Sequence, residues 1–278
     1  MTYKPADLGA VAGKDLLAAV QKEFVKIADE FSAIARGLEF APRADVLWRW
    51  DATTIAPFFL QAKHPSRATL VQAGGRSAVR LLTMPGDSNV NGSGEAERCD
   101  LRLPNDLSDA REGQAWWFKH SVWFPTDYVD QPQSNSTWHW GSVMSWHDDA
   151  DDGNSQGPAQ LMNMPRTATS ADRPTGLVYQ MYGGAPGGEM LHEYGVGPIE
   201  RNKWYDFIYH IKWTSTPLGF YDAWLNGKPI FACSGPTLII GHGAYLKLAN
   251  YHTSHGKPSA VLHGPATRAK TREALDGV

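Results

Sequence analysis

The sequence predicts an all-β sandwich of the jelly-roll kind, preceded by one N-terminal α-helix. Three observations predict it. Beyond residue 45 short runs alternate apolar and polar residues with period two, the signature of a half-buried strand. Glycine and proline number 27 and 18 in the 278 residues and punctuate those runs as turns. No helical pattern recurs between the runs, which excludes a parallel sheet with crossover helices.

The elements follow in chain order. Between Lys14 and Leu38 the apolar residues Leu17, Val20, Phe24, Ile27, Phe31, Ile34 and Leu38 are spaced alternately three and four apart. That is a coiled-coil a/d seam, narrower than the apolar face of an ordinary globular helix. It predicts self-association, with a trimer as the expected state. Gly13 precedes the helix and Gly37 weakens its end. Residues 1–42 are therefore read as a helical oligomerisation or attachment segment, and 43–278 as the β body.

In the body, "SAVRLLTM", "QAWWFKHSVWF", "TGLVYQMY", "KWYDFIYHIKW", "FYDAWLNGKPIFA" and "AYLKLANY" read as strands. Within the fourth, Tyr205, Phe207, Tyr209, Ile211 and Trp213 share one face. Asn226-Gly227 is the strongest short hairpin signal in the chain. The segment "HDDADDGNSQGP" reads as a long, exposed acidic loop. From about Thr267 the chain is polar and is read as a tail that packs or frays.

Bulk properties exclude several function classes. The formal net charge is −3, so no strong field draws the protein to nucleic acid or to an anionic membrane. No apolar run is long enough to span a bilayer. The start "MTYKPADLGAVAGKDLLAAV" lacks a basic region followed by an apolar one, and predicts a chain made in the cytoplasm without a signal peptide. Cys99 and Cys233 are read as free thiols. The 11 tryptophans exceed what one core needs, so some are expected on a ligand surface.

Three stretches carry chemistry. In "AYLKLANY" one strand face holds Tyr245, Lys247, Ala249 and Tyr251. A tyrosine can donate or accept a proton when a nearby cation tunes it. The plain alternative is a solvated strand with aromatic caps. In "TWHWGSVMSWHDD" His139 and His147 share parity, and histidine is the usual acid or base near neutral pH. The following acidic run fails the EF-hand pattern at Ala150. A looser calcium site using Asp148, Asp149, Asp151 or Asp152 is the one metal option, and no cofactor is required. In "GEAERCDLRL" Arg98, Asp100 and Arg102 alternate with Cys99, Leu101 and Leu103. On a concave sheet such a row would grip a carboxylate through a guanidinium held by the aspartate. The chain has no phosphate-binding glycine loop, no nucleophile elbow, no zinc spacing and no paired-carboxylate hydrolase strand.

Together these strands resemble the β-jelly-roll polysaccharide lyases of the heparin lyase I, glucuronan lyase and alginate lyase group, a concanavalin-like fold. "ERCDLR" (97–102) is similar to their Arg-Ser-Glu-Leu strand, and "SVMSWH" to their Gln-Trp-His strand. "KWYDFIYHIKWTSTPLGFYDAWLNGKPI" is similar to their stretch running from a Trp through an apolar strand to Trp-x-Asn-Gly. "YLKLANY" is similar to their Tyr-Phe-Lys-x-Gly-x-Tyr strand. The matches run in family order from about residue 75 to 265. The resemblance implies β-elimination on a uronate-containing polysaccharide. Tyr251 would be the catalytic acid, with the base's role open to it or to His147, and Lys247 would stand beside it. His147 would be the partner base or the group that neutralises the carboxylate. Arg98 or Arg102 would bind the carboxylate, with Asp100, Tyr245 and Asn250 completing the substrate site. Two departures stand out. Ser145 occupies the Gln position, with Asn163, Gln160 or Asn250 as candidate substitutes, and Ala249 replaces a Gly.

The N-terminal helix resembles the opening of phage tail-fibre and tailspike proteins. That likeness implies a virion-borne homotrimer that digests an acidic capsule and contacts other virion proteins. A non-catalytic carbohydrate-binding or structural virion module on the same fold is the alternative, and Ser145 favours it.

Overall fold

A computed structural model describes residues 45–275, except 109, 133–138, 150–156, 166–174 and 186–188. The helix expected over 14–38, its trimer seam and the tail-fibre likeness lie outside the described residues. So does the expected boundary between residues 42 and 43.

Fifteen strands are described: β1 (Val46–Trp50), β2 (Phe59–Ala62), β3 (Ala68–Ala73), β4 (Arg76–Thr83), β5 (Glu97–Arg102), β6 (Ala115–Trp123), β7 (Gly141–Asp148), β8 (Ala159–Met164), β9 (Gly176–Gly183), β10 (Glu189–Gly197), β11 (Trp204–Lys212), β12 (Phe220–Leu225), β13 (Lys228–Ser234), β14 (Ala244–His252) and β15 (Ser259–Ala269), and every pairing between them is antiparallel. They form two sheets. One runs β13-β12-β11-β6-β15-β4-β3, with β1 also pairing β15. The other runs β10-β9-β8-β7-β14-β5-β2. Strands far apart in sequence are neighbours within each sheet, as expected for a jelly roll. Among the described residues, the other regular elements are a helical turn at Asn105–Ser108 and 3₁₀ turns at Pro65–Arg67 and Glu273–Leu275.

Aromatic rings fill the space between the sheets. The face predicted from period two on β11 (Trp204–Lys212) and just beyond it, namely Tyr205, Phe207, Tyr209, Ile211 and Trp213, is buried. Trp116, Trp146 and Trp213 meet with centroids 5.1–5.5 Å apart. Phe118 and Tyr179 extend that cluster. These tryptophans are core residues, not ligand platforms. The Asn226-Gly227 hairpin links β12 (Phe220–Leu225) to β13 (Lys228–Ser234). Both turn residues have positive φ, 49° and 77°, as a type I′ turn requires.

One expectation is corrected here. The stretch from Thr267 is not a tail. Thr267–Ala269 complete β15 and are buried, because the strand is flanked by β1 and β6 on its two edges. Leu275 then packs against Ala269.

The second sheet carries a groove of about 940 Å³, lined by residues of all seven of its strands. The core lies on the opposite face of that sheet. Residues along its strands therefore alternate between core and groove, except on β7, where the pairing is irregular between Ser142 and Met144.

Candidate active site

The centre of the groove is built on β14 (Ala244–His252), which pairs with β5 (Glu97–Arg102) on one side and β7 (Gly141–Asp148) on the other. Tyr245, Lys247, Ala249 and Tyr251 all line the groove, while Leu246 and Leu248 are core. The strand-face reading of the sequence therefore holds. It holds on β5 too: Arg98, Asp100 and Arg102 line the groove, and Cys99 and Leu101 are core. Cys99 and Cys233 are free thiols.

Strand register sets which side chains meet. Arg98 is opposite Tyr251, and its guanidinium lies 4.0 Å from the ring centroid. Arg98 also donates to the carbonyls of Val90 and Asn91 and pairs with Asp100 at 3.3 Å. It is a fixed cation. Arg102 is opposite Lys247, lies 4.3 Å from the Tyr245 centroid, and donates to Asn105 at 3.2 Å. The Lys247 Nζ is 5.7 Å from the same centroid.

His147 is opposite Tyr245, and the two rings stack at 5.1 Å. Its Nδ1 lies 2.9 Å from the Asp148 carbonyl, which can only accept, so Nδ1 carries the proton. Nε2 is left with a lone pair. A neutral imidazole held this way can take a proton but has none to offer a carboxylate. That geometry fits the base and not the neutraliser. His147 is not packed on Tyr251, whose ring meets Trp140 at 4.7 Å and lies six residues further along β14. Between the two ends of the face stand Lys247 and the small side chains of Ser145 and Ala249, which leave a hollow.

Burial and like charges set the ionisation states. Burial raises the Asp100 carboxyl to about 6, against the pull of Arg98 and Lys247. Burial lowers Lys247 to about 8, with Asp100 resisting and both arginines adding to the fall. Burial and then Lys247 lower His147 to about 4, so it is neutral at neutral pH. Burial raises Tyr245 and Tyr251, partly offset by arginine in each case, so both phenols keep their protons.

One predicted binding residue is misplaced by sequence reasoning. Asn250 points between the sheets and donates to the carbonyls of Leu81 and Ser259, at 3.0 and 2.8 Å. Adjacent strand residues face opposite ways, so Asn250 cannot share the groove with Tyr251 and Ala249. Asn163 is also turned away and donates to the Tyr128 hydroxyl. Of the three amides considered as substitutes for the missing Gln, only Gln160 reaches the groove. It is directly opposite Ser145 on β8 (Ala159–Met164).

Asp148 and Asp149 of the acidic segment also line the groove, and each is tied to a neighbour. Asp148 accepts from His242 Nδ1 at 2.7 Å; Asp149 pairs with Arg111 and accepts from the Gly243 amide. Asp151 and Asp152 lie outside the described residues. His139 precedes β7 and meets Thr253, so its parity with His147 has no structural meaning.

Sequence reasoning also missed the far half of the groove. Gln180 and Tyr182 of β9 (Gly176–Gly183), Met162 and Met164 of β8, and Met190 of β10 (Glu189–Gly197) line it. Their alternation was visible, but a solvated strand face alternates in the same way.

Residues 47–272 match the polysaccharide lyase family model. Among solved structures, the chain is similar to the endo-β-1,4-glucuronan lyase of the fungus Trichoderma reesei, with a TM-score of 0.62 at 11% identity over 81% of this chain and 96% of that one. It is also similar to the alginate lyase Aly36B, at 0.51 and 12% over 77% and 87% of the two chains. The marine PL-14 alginate lyase from Aplysia kurodai gives 0.51 and 11% over 82% and 100%. At such identities the likeness is one of fold. None of the curated proteins matches the sequence.

Proposed function

This chain belongs to the polysaccharide lyase family, and from that premise we propose that it cleaves a uronate-containing polysaccharide by β-elimination. The observation that carries the reading is the β14 face. Lys247 stands between a neutral His147 at one end and a protonated Tyr251 at the other, with Arg98 and Arg102 alongside.

The sugar ring occupies the hollow over Ser145 and Ala249. Its C6 carboxylate meets Lys247 and Arg102, and the Gln160 amide adds a donor where the family resemblance expects a Gln. Pairing the carboxylate spreads the charge that develops when C5 loses its proton. His147 Nε2 takes that proton. The C5 electron pair forms the C4=C5 double bond as the C4–O4 bond breaks, and the Tyr251 hydroxyl protonates the departing O4. The bound carboxylate offsets the surrounding cations, which raises the basicity of His147 at the moment it is needed. Arg98 is a positioning residue, fixing the Tyr251 ring. Arg102 and Lys247 supply positive charge at the carboxylate, so the proposal includes no cofactor.

The direct test is ultraviolet absorbance of the new double bond on a panel of polyuronates and bacterial capsules. Absorbance is expected to rise on at least one. Reducing ends without absorbance would mean hydrolysis and overturn the elimination. Binding with neither signal would favour the non-catalytic carbohydrate-binding reading, which rests on Ser145.

Lys247 gives a pH prediction. Its ammonium is charged below about pH 8 and lost above it. The KM for a uronate polymer should therefore rise as pH increases through that value. Lys247→Arg stays charged and should flatten this limb. An unchanged alkaline limb in the variant would remove Lys247 from carboxylate binding.

The virion-borne trimer expected from residues 14–38 is part of the same proposal. Light scattering that returned a monomer mass for the intact chain would sink it.

A further inference from the structure

The groove continues past Arg102 to the edge of its sheet, where β2 pairs with β5. Leu60 and Ala62 of β2 pack against the core, so Phe59 and Gln61 take the other face. Register agrees. Phe59 is directly opposite Arg102 and Gln61 directly opposite Asp100, and both partners line the groove, as Gln61 does itself. The elimination proposed above uses neither β2 residue.

Phe59 is 61% exposed. Among the described residues it is the one Phe, Tyr or Trp that stands largely in water; the others are buried or half-buried. An aromatic face suits the apolar C–H face of a pyranose, and this ring stands at the rim of the groove. Gln61 carries the complementary feature. Its Oε1 is buried with no hydrogen-bond partner among the described residues. An unpaired buried acceptor is destabilising. The terminal torsion of a glutamine is broad, so a turn of the amide presents that oxygen to the groove and to a sugar hydroxyl. A pyranose repeat is about as long as the spacing between neighbouring strands. A chain laid across the sheet with its uronate over β14 therefore sets the next unit over β5 and the one after it over β2.

We propose that Phe59 and Gln61 form an outer sugar subsite at the β2 edge, where the Phe59 ring stacks on a pyranose unit of the bound polymer and the Gln61 amide accepts from one of its hydroxyls. The subsite rests on the lyase reading in taking a polysaccharide as the occupant of the groove, and binding tests it without turnover.

Calorimetry on the Tyr251→Phe protein compares oligoglucuronates and oligomannuronates, each as disaccharide, tetrasaccharide and hexasaccharide. Adding Phe59→Ala is expected to weaken the two longer forms of the series that binds by about three- to tenfold. The disaccharide, too short to join the hollow to β2, should change by less than about twofold. Phe59→Tyr keeps an aromatic ring and should restore the longer forms. Gln61→Leu keeps the size and removes the amide. It should show the same dependence on length, with a melting temperature no lower than that of its parent, because an unpaired acceptor has gone. Merely structural damage would lower the melting temperature and weaken every length alike.

Losses equal at all lengths, or no loss in Phe59→Ala, would overturn the subsite, and double-bond formation by the wild type would then leave the elimination standing. Length-dependent losses with no double bond on any polymer would support the subsite and overturn the elimination instead. Binding of neither series by the parent would overturn both.

Discussion

Replacing Tyr251 with Phe is expected to lower turnover by roughly 10²–10⁴-fold, the usual worth of a positioned proton donor, while the fold is retained. The change removes one oxygen. The contacts that hold the ring, Arg98 over its face at 4.0 Å and Trp140 edge-on at 4.7 Å, depend on the ring and survive in Phe. KM should change little, since the hydroxyl matters only as O4 leaves. Tyr245→Phe is the control. That ring is fixed by His147 and Arg102 in the same way, so its loss of hydroxyl should cost no more than a few-fold. Steady-state rates from double-bond absorbance, with melting temperatures for both variants, decide the matter. If Tyr245→Phe is the dead enzyme and Tyr251→Phe is not, the proton donor sits at the His147 end of the face and the mechanism must be redrawn there.

His147→Gln should cost roughly 10²-fold or more in kcat. Glutamine fills similar space and offers an amide hydrogen bond, but it has no basic nitrogen. A residue that merely neutralised the substrate carboxylate would tolerate this change, because an amide donates well. A base would not. In the wild type Nδ1–H is committed to the Asp148 carbonyl, which leaves Nε2 as an acceptor. His147→Ala should be equally impaired, with part of the activity restored by free imidazole. A glutamine variant within about threefold of wild type would rule out His147 as the base, and Tyr251 would then have to serve both proton transfers.

Much of the site was legible because strand geometry is strict. Period two put Tyr245, Lys247 and Tyr251 on one face and Arg98, Asp100 and Arg102 on another. Antiparallel pairing of β5 with β14 then made the two faces one floor. The same rule, applied with care, would have excluded Asn250, which is one residue from Tyr251 and so on the opposite face. Motif likeness had drawn it in. Parity failed on β7, where an irregularity between Ser142 and Met144 lets Ser142 and Ser145 both line the groove although they are three apart. Such bulges leave no mark in composition.

By itself, the sequence determined an all-β sandwich, its Asn226-Gly227 hairpin, the buried face of β11 and the side chains displayed on β5 and β14. Those follow from local rules: alternation, turn chemistry and the burial of large rings. Only the tertiary structure decided which displayed residues meet. Register placed His147 against Tyr245 and Arg98 against Tyr251, and carried Gln160 to the gap beside Ser145. Burial then set the charges, leaving His147 neutral and bringing Lys247 down to about 8. A strand carries its faces in its own sequence, but its neighbours and its dielectric surroundings come from chain segments tens to hundreds of residues away.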